Sequence, residues 1–374
     1  VTHVAFVGAV DSGKSTLLGQ LMLQTGNIPG DRLAEAVLAS GAPPNGRRHN
    51  TLAWLVDGLR AERETGATID VAYRHLTVFG RRVVVHDCPG HGELTPAVFT
   101  GLSTAETVVV VIDGVAGITP LAQWHLRLVD MLAPRHVVLA VNKSDLPGVT
   151  VDRYRALVEQ ARYLLTAPGM RTTGLMTSGL RGDTIEELAR LIAEVSPAPA
   201  EPLRVVVQHV EAMSGADLVY GRRTGGTTPA TGDQLCVTPA ENTGVIGRVH
   251  GHSSIRTVIS GGTGVRRGSI LYDARTPGPL PTRTLTGTAV LLRPQPLRVD
   301  EVLRIRVGAA EAESEPVTAE QLLQPGRPTG IEIGLTSPLF TDDYAMSRAT
   351  GTAILLAAST GRIIGGMTLS REGT

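Results

Sequence analysis

Nine residues near the start of the chain, Gly8-Ala9-Val10-Asp11-Ser12-Gly13-Lys14-Ser15-Thr16, have the types and spacing needed to hold a triphosphate. They fit G-x-x-x-x-G-K-[ST], in which glycines let consecutive backbone N–H groups close around anionic oxygens. Lys14 is placed to reach the β and γ phosphates, and Ser15 to offer its hydroxyl to Mg²⁺, which prefers an octahedral shell of oxygens. Thr16 opens a helix whose N-terminal dipole favours the same anion.

A second constellation, Asn142-Lys143-Ser144-Asp145, fits N-K-x-D. Asp145 can accept hydrogen bonds from N1–H and the exocyclic amine of guanine, donors that adenine lacks, while Asn142 braces the loops and the Lys143 stem covers the base. A site built on such bonds rejects a ligand without the donors by about 10⁴-fold or more. The expected nucleotide is therefore GTP, with Mg²⁺ as its metal. Ser178, Gly179 and Leu180 stand where the remaining base-contacting loop is expected. Between the two motifs lie four more candidates. Thr68, in a segment between helix and strand, is placed like a γ-phosphate sensor and second protein ligand of Mg²⁺. Asp87 ends an apolar run and can hold a metal-bound water, Gly90 can give its N–H to the γ phosphate, and His91 can orient the attacking water. Only two of the 35 basic residues are lysines, Lys14 and Lys143, and both fall inside these motifs.

The elements that must carry these residues can be read from periodicity. Residues 4–7 form a buried strand and 16–22 a helix. An irregular insertion over 26–48 holds a short helix at 31–39, and 52–63 has helical spacing. Residues 71–79 and 82–86 read as paired strands joined at Gly80-Arg81. Strands at 106–113, 136–141 and 173–176 alternate with helices at 121–132, 154–165 and 184–195, the last capped by Asp183. This alternation predicts an α/β P-loop domain, doubly wound and mostly parallel, over residues 1–196. A proline-rich linker follows, then short strands at 203–210, 235–238, 243–249, 256–259 and 269–272, a Pro/Gly hinge at 276–282, and further strands over 284–374. Two small β-barrels, 203–275 and 283–374, are the economical reading. His250-Gly251-His252 lacks a third ligand and reads as surface.

Composition narrows the classes. A formal net charge of zero and 3% aromatic residues argue against a dedicated nucleic-acid binder. No apolar stretch nears the roughly 18 residues of a membrane span. The two cysteines, Cys88 and Cys236, form neither a disulfide framework nor a zinc pattern. With its first strand immediately ahead of the loop, no room for a signal peptide is expected, and the expected compartment is the cytoplasm.

The residues resemble the translation-factor class of GTPases, and within it the GTPase subunit of bacterial sulfate adenylyltransferase. The phosphate loop is similar, and the longer match is Leu55-Val56-Asp57-Gly58-Leu59-Arg60-Ala61-Glu62-Arg63-Glu64 through Thr68-Ile69-Asp70-Val71-Ala72-Tyr73-Arg74, which looks like that subunit's switch region. Thr350-Gly351-Thr352-Ala353-Ile354 resembles a late strand of its final barrel. The resemblance implies a GTPase working with a separate small adenylyltransferase (subunit 2-like) protein, in a heterodimer or higher assembly. The partner makes adenosine 5′-phosphosulfate and pyrophosphate from ATP and sulfate. Departures from the pattern are Cys88 for a threonine, Ala67 for a larger aliphatic residue that with Val10 shields the γ phosphate, a less polar 92–98 in which Pro96 interrupts or restarts a helix, and a first barrel short of a strand. Two other readings stand beside this one: an elongation-factor-like GTPase that delivers tRNA, and a degenerate GTP-binding scaffold.

Overall fold

Runs of valine, stiff at χ1 and suited to a pleated surface, mark the central strands of the first sheet. In the computed structural model its strands are β1 (Thr2–Gly8), β2 (Ala72–Val78), β3 (Arg81–Asp87), β4 (Thr107–Asp113), β5 (His136–Asn142) and β6 (Arg171–Met176). The structure describes residues 2–28, 30–31, 52, 56, 71–90, 95–194, 201–239, 242–251, 254–261 and 264–370. The strand order is β2-β3-β1-β4-β5-β6. Only β2 and β3 pair antiparallel; every other neighbour is parallel. The hairpin turns at Phe79 and Gly80, whose φ values of 46° and 75° suit a two-residue turn, so the connection falls one residue earlier than Gly80-Arg81.

Among the described residues, the helices with defined bounds that alternate with the strands are α1 (Lys14–Gln24), α2 (Thr95–Ser103), α3 (Pro120–Leu132), α4 (Val151–Tyr163) and α5 (Ile185–Ala193). The strands' period of two divides the core. Val4, Phe6, Val83, Val85, Val109, Val111, Val138 and Ala140 pack with Leu17, Leu18 and Leu21 of α1 and with Leu188 and Ile192 of α5. Each of these valine, leucine, isoleucine and phenylalanine side chains, fully buried, contributes about 1.5–3 kcal/mol. On the other side, His86 Nδ1 bonds the carbonyl of Gly101 in α2 at 2.7 Å. Thr119 caps α3 by accepting from Ala122 N–H at 3.2 Å, with Pro120 in the first turn. The expected Asp183 cap of α5 is overturned: Thr184 is the N-cap, in left-handed backbone at φ 59°, and makes no side-chain cap bond. The carbonyl of Asp183 accepts instead from the hydroxyls of Thr177 and Thr184. Pro96 lies in the first turn of α2, where its missing N–H costs no helical bond.

The chain divides between Pro197 and Ala198 into two compact units, the second of which holds two all-β sheets. The first, β7 (Arg204–Met213), β8 (Ala216–Arg223), β9 (Gln234–Val237), β10 (Asn242–Ile246), β11 (Ser254–Ser260) and β12 (Ile270–Asp273), closes into a six-stranded barrel in the order β10-β11-β8-β7-β12-β9. β8 is absent from the sequence reading and pairs with both β7 and β11 in this barrel. The second sheet, β13 (Leu280–Leu291), β14 (Leu303–Val307), β15 (Ala310–Glu313), β16 (Thr329–Thr341), β17 (Thr352–Ala357) and β18 (Ile363–Leu369), runs β15-β14-β17-β18-β13-β16. Its two edges approach through a bridge between Ser314 and Leu335 and a 2.8 Å bond from Glu315 N–H to the Gly334 carbonyl. Inside this unit, fully buried Arg204 of β7 makes paired 2.8 Å bonds to the Asp342 carboxylate, whose Oδ2 also accepts from Thr350 at 2.6 Å.

Candidate nucleotide site

The loops that matter leave the C-terminal ends of parallel strands, the usual ligand side of an open α/β sheet. β1 delivers Gly8, and a turn with positive φ at Asp11 (60°) and Gly13 (84°) redirects the chain into α1 at Lys14. At Gly13 a Cβ would also collide with Nδ2 of Asn142, so this position needs glycine twice over. Gly13 caps the helix without a side-chain bond, leaving the first-turn amides of Lys14, Ser15 and Thr16 to face outward from the helix end. Val10, on the outer part of the loop, is 44% exposed.

Lys14 is 6% exposed and its ammonium bonds the carboxylate of Asp87, which ends β3 and is almost completely buried. Ser12 Oγ is buried and has no partner among the described residues. An unmet hydroxyl and an ammonium in a glycine-rich turn, with a carboxylate from the end of β3 against them, are the donor set of a phosphate and Mg²⁺ site, and the residues present fit both groups. Gly90 lies against the loop: a Cβ there would stand 3.1 Å from the Gly8 carbonyl and 3.3 Å from Val10 N. Cys88, one residue after Asp87, is inert as a nucleophile, because burial pushes its thiol up to about 12. His125 of α3 is buried with neither ring nitrogen bonded among the described residues; burial first, and then Lys14, lowers it to about 4. Thr68, His91 and Ala67, with the rest of the expected switch match at 55 and 57–70, residues 92–94 and most of the helices expected at 31–39 and 52–63, lie outside the described residues.

The base end is a bonded network. Asn142 Nδ2 donates to the Ser12 carbonyl at 2.9 Å, and Asn142 Oδ1 accepts from Gly179 N–H at 2.9 Å, so one side chain joins the phosphate loop to the 178–180 loop. Ser178 Oγ donates to Asp145 Oδ1 at 2.5 Å and accepts from Arg181 N–H at 3.0 Å. Leu180 is 37% exposed. Lys143 takes a left-handed backbone, φ 67°, and its ammonium bonds Asp113 Oδ2 at 2.7 Å. Sequence reasoning missed Asp113, treating it as the last residue of a strand. The only available signal was a carboxylate directly after a fully apolar run and directly before glycine. Burial pushes the Asp113 carboxyl up, but bonds from the Lys143 ammonium and from Ala116 and Val115 N–H outweigh it and hold it below the usual carboxylate range.

A mostly parallel sheet whose first strand runs through a glycine-lysine-serine loop into a helix defines a P-loop nucleotide-binding protein. Residues 1–198 match the family described as the Elongation factor Tu GTP binding domain, and the chain belongs to that family. It is 37% identical over 213 residues to the bifunctional enzyme CysN/CysC of Xylella fastidiosa, covering 56% of this chain and 33% of that protein. It is 30% identical over 268 residues to elongation factor 1-alpha of Archaeoglobus fulgidus, covering 67% and 63%. The chain thus spans from about a third to just under two thirds of the length of these relatives. A longer match, 28% identical over 416 residues, covers 98% of this chain and 85% of sulfate adenylyltransferase subunit 1 of Chromobacterium violaceum. Among solved structures, the S. cerevisiae Ski7 GTPase-like domain bound to GTP superposes with a TM-score of 0.62 at 14% identity over 99% of this chain and 97% of that one, a likeness of fold. No helix among the described residues is long and apolar enough to cross a membrane.

Proposed function

We propose that this chain is a GTP-binding and GTP-hydrolysing regulatory subunit in the cytoplasm, acting with a separate small adenylyltransferase subunit that makes adenosine 5′-phosphosulfate from ATP and sulfate. The observation that carries this reading is the match to sulfate adenylyltransferase subunit 1 across 98% of the chain, which extends well past the GTPase domain. In this reading residues 1–196 are the GTP-binding domain, and 203–275 and 283–374 are barrels available to a partner in a heterodimer or higher assembly.

At the site, Lys14 and the amides of 13–16 bind phosphate, Gly90 senses it, and Asp145 with Ser178 selects guanine through the network supported by Asn142. Mg²⁺ would be held by Ser15, by Thr68, and through water by Asp87, and when bound it neutralises phosphate charge. His91 orients the attacking water. The test is co-purification with a small adenylyltransferase subunit, followed by pyrophosphate release from ATP and sulfate with and without GTP. Stimulation by GTP that is lost in Lys14→Ala is expected. A stable complex that ignores GTP overturns the coupling.

The 30% identity to elongation factor 1-alpha favours a second reading, delivery of aminoacyl-tRNA. Binding through phosphates would weaken steeply with salt, so a gel shift at two ionic strengths decides it.

A further inference from the structure

Asp113 is not a base-contacting residue by its place, at the end of β4, yet it is held with unusual care. Its Oδ1 accepts from Val115 N–H at 2.8 Å and Ala116 N–H at 3.0 Å, and its own carbonyl accepts from Gly117 N–H at 2.8 Å. The turn so formed is braced from two sides. Gly114 N–H bonds the Asn142 carbonyl at 3.0 Å, and Arg153 of α4 bonds the carbonyls of Gly114 and Val115 at 3.3 Å each. In the sheet, Asp113 is the register partner of Asn142. One carboxylate oxygen is thus consumed in fixing the turn, and the other is aimed at the Lys143 ammonium.

Two features separate this pair from an ordinary surface ion pair. Its groups are only 28% and 13% exposed, and Lys143 holds a left-handed backbone that a side chain with Cβ adopts at a cost. A free lysine stem carries rotamer entropy, which is lost when the stem is ordered against a ligand. Anchoring the ammonium beforehand removes that loss at the moment of binding.

We propose that Asp113 is a positioning residue of the nucleotide site: its carboxylate anchors the far end of Lys143, so that the four-carbon stem stands preformed as one wall of the purine slot. The inference rests on the reading that Asn142-Lys143-Ser144-Asp145 binds guanine. It adds that part of the affinity for the base is preorganisation supplied from β4.

The experiment uses the full chain and fluorescent GDP, with dissociation followed by stopped flow and unlabelled GDP, ADP and inorganic tripolyphosphate as competitors. Asp113→Asn keeps an oxygen for the Val115 and Ala116 amides but sets an amide donor against the ammonium. The expected result is GDP dissociation about tenfold faster, with little change in association, tripolyphosphate affinity or melting temperature. Asp113→Ala serves as the second variant, and the double variant Asp113→Asn/Lys143→Ala should be no weaker than Lys143→Ala alone. Unchanged dissociation in both Asp113 variants, or fully additive effects with Lys143→Ala, overturns the inference alone. A wild-type chain that binds ADP as well as GDP overturns the guanine reading, and the inference with it.

Discussion

Both lysines of the chain end on an aspartate, and the two pairs differ in kind. Lys14 and Asp87 are 6% and 1% exposed, come from the phosphate loop and the end of β3, and are the same groups that a triphosphate and its metal would claim. Lys143 and Asp113 are partly solvated, and their bond uses the lysine's tip, leaving its stem available to a base. Under the proposed function, the first pair would exchange partners when a nucleotide binds, whereas the second would persist through binding. Burying two opposite charges is costly unless their geometry and further bonds compensate, so the phosphate-end pair holds its charges ready for another use.

Four measurements can break or sharpen that contrast. The largest effect should come from a third pair, one that belongs to the second unit and not to the unit carrying the ligand loops: Asp342→Ala leaves Arg204 buried without its carboxylate and should remove about 3–5 kcal/mol from urea-unfolding stability. GDP affinity should not move; if it falls as well, ion pairs cannot be sorted by their relation to the ligand loops. Next, Lys14→Ala should weaken GTP by about 100-fold or more in calorimetry, since a charge-assisted bond to phosphate is lost. A loss under tenfold would make the phosphate end no more demanding than the base end.

Third, the phosphate end has a titrating neighbour in His125, held at about 4 when folded against a reference of 6.5. Its folded pKa is depressed, so the unfolded chain takes up the proton first as pH falls. Stability should drop by roughly 2 kcal/mol between pH 7 and pH 4.5 from this residue. His125→Gln should flatten that part of the denaturation profile, and an unaltered slope would remove His125 from the account. Smallest, Lys143→Arg should weaken GDP about five- to tenfold while sparing tripolyphosphate, because a planar guanidinium cannot copy a flexible stem ending in a compact ammonium.

Much of the first unit was legible because its signals are local. The loop from Gly8 to Thr16 and the 142–145 loop each name their chemistry within a few residues, and the valine runs announce buried parallel strands. What escaped depends on distance along the chain. Asp113 acquires a role only through a lysine 30 positions later, and Arg204 reads as the polar start of a strand until Asp342, 138 positions away, is brought to it. β8 was hidden by its own alternation: Gly221 occupies an inward position where a Cβ would press on Val205, so one expected apolar residue is missing. Asp183 looked like a helix cap by type, but the left-handed Thr184 shifts the helix start by one residue.

The scarcity of lysine has a practical side. An acylating reagent finds two ε-amines in the whole sequence, and each sits in a different loop of the same candidate site. One is buried and the other partly open, so their labelling rates report separately on the two ends. Tryptic cleavage restricted to arginine leaves them on different peptides, and under the proposed function mass spectrometry would follow phosphate and base occupancy in a single digest without any engineered probe.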